Sequence, residues 1–408
     1  MRNRLYFMSV VVLLSAAFII AEDQIGRDVA TSDNELRTIH SLLTETLRNM
    51  GEHKSFEGTQ ELFEGTLVVF TKIMPKLAIF ELEFGVQPKD INGWEEIENT
   101  AKDLLSEFRQ FDGKKIHIYG DSLTAYCTLL ELAGKQKKAL QVLNSVNPDT
   151  PCGTWYATVL MPLELLKSAI YQRIGNYAES LKEQETAIVH SHVSFSFPDE
   201  DILYVRYAFL LSKNNRETEA ILNYQRTVDL YPGTAGSRIA RKALIERNAL
   251  LEPAADRIDE RYLKPDGDDK YAAILALAKH KFPTSAEIIS ARLNKAGFWE
   301  RGRLIHALGI LGDKAAISSL NTIVTTSDYH DDRINALKAL HKLGDDSQVA
   351  AYLMRFESDK DHISLDWVDS ELRKIMNGGP VVPDMKENDN AILAQTWLDW
   401  INKKKKTK

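Results

Sequence analysis

The residues best placed by type and spacing to do chemistry are Asp328, His330, Asp331 and Asp332. Carboxylate oxygens and an imidazole this close in the chain are a donor set that a divalent metal accepts. A second group, Asp266, Asp268 and Asp269, offers oxygen ligands alone. It lacks the further acidic positions and the closing glutamate of an EF-hand loop. His190 and His192 stand two residues apart, which places them on different faces of a helix. Cys127 and Cys152 are the chain's two cysteines. A bridge between them would stabilise the fold by roughly 3 kcal/mol, but its strict geometry leaves pairing open. Each group also has a plainer role. The first suits caps and turns between helices, the second a solvated linker ending in a helix cap, and the third a polar loop between helical units. Cys127 equally suits a buried small hydrophobe. No P-loop, Rossmann glycine pattern, His-Glu-x-x-His or Gly-x-Ser-x-Gly is present. The expectation is therefore a non-enzyme with no catalytic residue, no metal site and no cofactor.

The elements around these residues read as helices throughout. The chain has 408 residues, 44% hydrophobic and 27% charged, a composition of folded soluble proteins too long for one simple core. Its net charge of -7 argues against a general nucleic-acid binder. Arg2 and Arg4, the apolar run Leu5–Ile20 and Ala21 have the layout of a secretory signal peptide over 1–21. A helix of that run spans about 24 Å, short of the roughly 30 Å of bilayer hydrocarbon. The expected compartment is periplasmic or extracellular, with no integral membrane segment after cleavage. An uncleaved N-terminal anchor is the alternative. Leu36, Ile39, Leu42, Leu43 and Leu47, and then Leu62, Phe63, Leu67, Phe70, Ile73 and Met74, recur at helical spacing. They predict an N-terminal helical region over 22–115.

Repetition begins next. Leu123–Leu143, Tyr171–Ala187 and Tyr204–Pro232 each combine an apolar helix, a polar turn and a second helix with a small buried-face residue. This arrangement, over 116–250, resembles the tetratricopeptide repeat (TPR). Ala208, Asn215, Ala220, Tyr224 and Pro232 carry the resemblance best, whereas Ser168 and Ser180 stand at two small positions of the middle segment. Ala139, Ser180 and Ala220 lie about 40 residues apart, longer than the family period of about 34. A linker is expected over 251–267. Beyond it, Ala307, Leu308, Leu311, Gly312 and Asp313 recur in register as Ala339, Leu340, Leu343, Gly344 and Asp345. That motif is similar to short bacterial HEAT repeats, the kind also found in phycobilin lyases, and assigns them to 268–402. Gly312 and Gly344 suit left-handed C-caps, Asp313 and Asp345 the caps of following helices. Trp397 and Trp400 would close the last apolar face, ahead of a solvated basic tail at 403–408. The expected fold class is all-α, an α-solenoid of stacked helical hairpins, TPR-like and then HEAT-like.

Solenoids bind along a long concave surface. The TPR resemblance implies inward-facing positions at Thr124, Thr128, Gln172, Arg173, Arg206, Phe209 and Lys213. Thr124 and Thr128 stand where a carboxylate clamp would need Lys and Asn, so that clamp is not implied. Phe298 and Trp299 precede a HEAT-like helix, as partner anchors or as seals between units. The function expected is a scaffold or adaptor for a protein or peptide. A lyase-like enzyme accessory and a structural envelope component are the alternatives.

Overall fold

The computed structural model describes residues 93–107, 120–145, 156–191, 200–263, 270–293, 295–355, 364–382 and 390–406, with short helical stretches at 41, 44–45 and 81–82. The segment 1–21, Asp266, Asp268, Asp269, His192 and Cys152 lie outside them, as do the side chains of Thr124, His190, Phe298 and Trp299. Among the described residues the protein is all-helical, with seventeen α-helices and no strand. None of these helices is long and apolar enough to cross a membrane. Two compact units divide the chain, Met1–Leu251 and Glu252–Lys408.

The first unit contains α1 (Trp94–Glu107), α2 (Gly120–Leu132), α3 (Gln136–Asn144), α4 (Tyr156–Arg173), α5 (Tyr177–Ser191), α6 (Glu200–Lys213), α7 (Glu217–Leu230) and α8 (Ala235–Glu246). Each of α2, α4 and α6 packs against the helix that follows it. The three turns share one hydrogen-bond pattern. Lys135 N–H donates to Leu130 O at 2.8 Å, Asn176 N–H to Tyr171 O at 2.9 Å, and Arg216 N–H to Leu211 O at 2.9 Å. The preceding residue is left-handed in each: Gly134 (φ 69°), Gly175 (φ 79°) and Asn215 (φ 60°). Glycine and asparagine tolerate that conformation best, so the turn chemistry stops each helix and reverses the chain. Past each turn a small residue is fully buried: Ala139, Ser180 and Ala220. Helices approach closely there. At the α4–α5 crossing two serines replace alanines and bond reciprocally, Ser168 Oγ to Ser180 O at 2.8 Å and Ser180 Oγ to Ser168 O at 2.7 Å. That satisfies both hydroxyls without water.

The second unit contains α9 (Ala255–Leu263), α10 (Lys270–His280), α11 (Ser285–Leu293), α12 (Phe298–Leu311), α13 (Ile317–Thr326), α14 (His330–Lys342), α15 (Val349–Arg355), α16 (Leu365–Met376) and α17 (Asn390–Lys406). Helix α10 packs on α12, α12 on α14, and α14 on α16. Ala307, Leu308, Ala339 and Leu340 of the recurring motif are all buried at these contacts. Gly312 is the left-handed C-cap of α12 (φ 73°), and Asp313 Oδ1 accepts from Ala315 N–H at 2.9 Å. Gly344 is left-handed as well (φ 81°), and Asp345 Oδ1 accepts from Ser347 N–H at 2.9 Å. Trp397 is fully buried, edge-on to Trp400, and its Nε1–H donates to Asp369 at 2.9 Å.

Two boundaries differ from the sequence expectation. The linker assigned to 251–267 contains α9, whose Ile258 and Tyr262 are buried and which packs on α10. Four residues apart on one helix face, these two side chains suffice to seat it. The basic tail begins as helix: Lys403–Lys406 continue α17. Lys404 Nζ donates to Met376 O at 3.1 Å and lies over the Trp400 ring. A cation at the carbonyl end of α16 is favoured by the helix dipole.

Cys127 on α2 is a free, fully buried thiol, and burial pushes its pKa up to about 12. The thiolate is the reactive form. Cys127 should therefore stay unlabelled by iodoacetamide in the native protein and react once denaturant unfolds the first unit. Peptide mapping by mass spectrometry reads this directly.

Candidate functional site

Three of the positions singled out in the sequence, Gln172 and Arg173 of α4 and Arg206 of α6, belong to one polar cluster, most of it buried. Arg173 ends α4. Its Nη1 pairs with Glu131 of α2, and its Nε and Nη2 donate to Glu81 Oε1 at 2.8 and 2.6 Å. All three side chains are at least nine-tenths buried. Arg206 of α6 reaches back to α4, donating to Gln172 Oε1 at 3.1 Å, Leu165 O at 3.4 Å and Ser168 Oγ at 3.1 Å. Burial pulls its pKa down to about 10; Glu81 opposes that shift and the Arg173 charge adds to it. Gln184 of α5 closes the cluster by donating to Leu203 O at 3.0 Å. Successive first helices are thus joined by charge-assisted hydrogen bonds, which are stronger and more directional than neutral ones.

Arg206, Phe209 and Lys213 fall on one face of α6 by their spacing. Toward its C-terminal end that face becomes accessible. Phe209 is half-buried and edge-on to Tyr177, with ring centroids 6.4 Å apart. Lys213 is exposed, with Nζ 5.3 Å from the Phe209 ring centre and 5.9 Å from that of Tyr177. An ammonium within about 6 Å of two ring centres is attracted by their quadrupoles, which favours Lys213 over this ledge.

The sequence-derived positions therefore separate. Gln172, Arg173, Arg206, Phe209 and Lys213 come together. Thr128, expected to face inward on the surface, is 3% exposed, and its hydroxyl oxygen has no hydrogen-bond partner among the described residues. It lies in the fully buried stretch Cys127–Leu132 and is closed off by packing. Arg173 and Arg206 are also covered rather than open: Glu81 is bonded to Arg173, and Arg206 is itself buried.

The sequence reading missed Glu81, Glu131 and Asp201. Glu131 carries a signal in retrospect: it is an acid inside the run Leu129-Leu130-Glu131-Leu132-Ala133, and such an acid needs a partner to be buried. Asp201, in the first turn of α6, is buried and accepts from Gly236 N–H at 2.9 Å, near the start of α8. Burial raises its pKa, against hydrogen bonds from Thr234 and Gly236 that lower it. A carboxyl whose folded pKa is raised penalises the native state above that pKa. The native state recovers stability as pH falls, because it takes up a proton before the unfolded chain does. Asp201→Asn keeps an acceptor without the titration. The urea midpoint of the parent should therefore gain on that of the variant as pH drops from neutral toward the ordinary carboxylate range.

In the second unit the Asp328–Asp332 group diverges. The Asp328 side chain is 95% exposed beside Arg355. His330 is buried between Tyr352 and Trp367, at ring-centroid distances of 5.8 and 5.3 Å. Asp332 is buried, pairs with Arg301 Nη1 at 2.9 Å and accepts from Ser327 Oγ at 2.9 Å. None of these residues caps α14, whose N-cap Tyr329 has no side-chain cap bond; Ser327 Oγ accepts from Tyr329 N–H at 3.2 Å in the turn ahead of it. Asp332 serves as an inter-helix ion-pair partner. Phe298 and Trp299 open α12.

No family model, curated protein or solved structure matches this chain.

Proposed function

We propose that this protein is an exported scaffold or adaptor, an α-solenoid with TPR-like hairpins in its first unit and HEAT-like hairpins in its second, that docks a protein or peptide rather than catalysing a reaction. One observation carries the reading. Three consecutive helix pairs repeat the same left-handed turn, and their first helices are cross-linked by the Glu131–Arg173 and Arg206–Gln172 contacts. Repeats registered in this way hold a row of side chains at fixed spacing, which is what a docking surface requires. The ledge of Tyr177, Phe209 and Lys213 supplies aromatic surface with an exposed cation above it, and tyrosine is among the residues enriched at interface hot spots. The export reading rests on the signal-like residues 1–21.

Crosslinking and affinity purification of the tagged full chain from the cell envelope or secreted fraction test this reading. A specific protein should be recovered. Its yield should fall at least tenfold for the Phe209→Ala, Lys213→Glu double variant, whose changes remove none of the hydrogen-bond partners of Arg173, provided circular dichroism shows the variant folded. Repeated failure to recover any partner with crosslinking would sink the scaffold reading.

A further inference from the structure

We propose that Glu81 and Leu82 are an internal occupant of the binding face of the first unit, and that the external partner is an acidic–aliphatic segment that takes their place. This rests on the scaffold reading above and names the partner chemistry for the same site. Glu81 lies 92 residues from Arg173 in sequence, yet its Oε1 takes both Nε and Nη2 of that guanidinium. Its charge also bears on buried Arg206. Leu82 packs against the core cluster that contains Leu181, Val205 and Ala208, alongside Tyr177 and Phe209. One carboxylate therefore holds Arg173, and the adjacent leucine packs on the same core cluster as Tyr177 and Phe209, which are the positions a partner would need.

Two features make this contact exchangeable. Arg173 keeps Glu131, and Arg206 keeps Gln172, Ser168 and Leu165 O when Glu81 departs. The arginines stay held, and what opens is a site for one carboxylate with an aliphatic side chain beside it. Further, a buried ion pair gains little net free energy, because desolvation offsets attraction. A second carboxylate of the same geometry can replace the first at little net cost, and the face passes between internal and external occupants by population shift.

The test uses the full chain and a fluorescein-labelled peptide with the sequence of residues 76–87, followed by fluorescence anisotropy. In the Glu81→Lys, Leu82→Asp double variant a third cation faces Arg173 and Arg206 and expels the internal occupant. This variant should bind the peptide at least tenfold more tightly than the parent, and adding Arg206→Met should remove the gain. The same peptide with glutamine in place of Glu81 should bind at least tenfold more weakly. Circular dichroism confirms that each variant is folded. If the double variant unfolds, hydrogen exchange on the parent decides: excess peptide should speed exchange of the backbone amides at 81–82 while α4 and α6 stay protected. Equal binding to parent and double variant, insensitivity to Arg206→Met, or unchanged exchange at 81–82 would overturn the internal-occupant inference. Recovery of a partner from cells alongside those results would leave the scaffold reading standing.

Discussion

Arg173→Met should destabilise the first unit by about 3–5 kcal/mol, the range for removing one member of a buried charge set. The reason is what remains. Glu131, fixed within α2, stays in a desolvated pocket without its guanidinium, and Glu81 must either leave for solvent or share that pocket as a second unpaired carboxylate. Methionine fills much of the volume, so little of the loss comes from a cavity. Arg173→Lys should do better than methionine but fall short of the parent, since one ammonium cannot reproduce the forked contact to both acids. The decisive comparison is the triple variant Arg173→Met, Glu81→Gln, Glu131→Gln. Without the stranded charges it should recover most of the lost stability. Urea unfolding followed by circular dichroism, with hydrogen exchange locating the change on α2 and α4, measures each step. Triple and single variants of equal stability would mean that packing, not charge, makes Arg173 matter.

Parts of this architecture were legible in the sequence because they depend on local chemistry. Glycine or asparagine between two apolar-periodic stretches announces a helix stop and a turn, and the turns fall at Gly134, Gly175 and Asn215. The small residues Ala139, Ser180 and Ala220 mark where helices touch, and all three are buried. Gly312 and Gly344 were likewise readable as left-handed caps. Helix α9 was not, because Ile258 and Tyr262 sit among charged neighbours that imitate a linker until another helix covers them. The Arg173 cluster was half legible. The TPR resemblance pointed to Gln172, Arg173, Arg206, Phe209 and Lys213, which lie on α4 and α6. Charged residues, however, are read as solvent-facing, because they are almost never fully buried unless paired. The partner that buries Arg173 comes from a remote stretch, and pairings across 92 residues leave no local trace.

Gly236→Ala is expected to be the most damaging single-methyl change among the described glycines, at about 3 kcal/mol or more. A β-carbon there would stand 2.7 Å from the Asp201 backbone oxygen, 2.7 Å from its Oδ2 and 2.8 Å from its carbonyl carbon. Two of the three obstacles are main chain in the first turn of α6, so no rotamer change relieves them. The helices must part, and the Gly236 N–H bond to the Asp201 carboxylate is then stretched as well. That leaves a buried carboxyl short of a donor. Gly302→Ala is the matched control. It lies inside α12 with nothing within 4 Å of its would-be β-carbon, so the higher helix propensity of alanine should stabilise by about 0.5–1 kcal/mol. Gly309→Ala lies between them. Its β-carbon would meet that of Ala339 at 3.2 Å, a gap the α12–α14 contact closes by yielding a few tenths of an ångström, so propensity and crowding nearly cancel. Thermal unfolding of the three variants should rank them Gly302→Ala, Gly309→Ala, Gly236→Ala from most to least stable. A Gly236→Ala protein as stable as the parent would show that α6 and α8 can separate freely, and would remove close helix approach as the reason for glycine at that position.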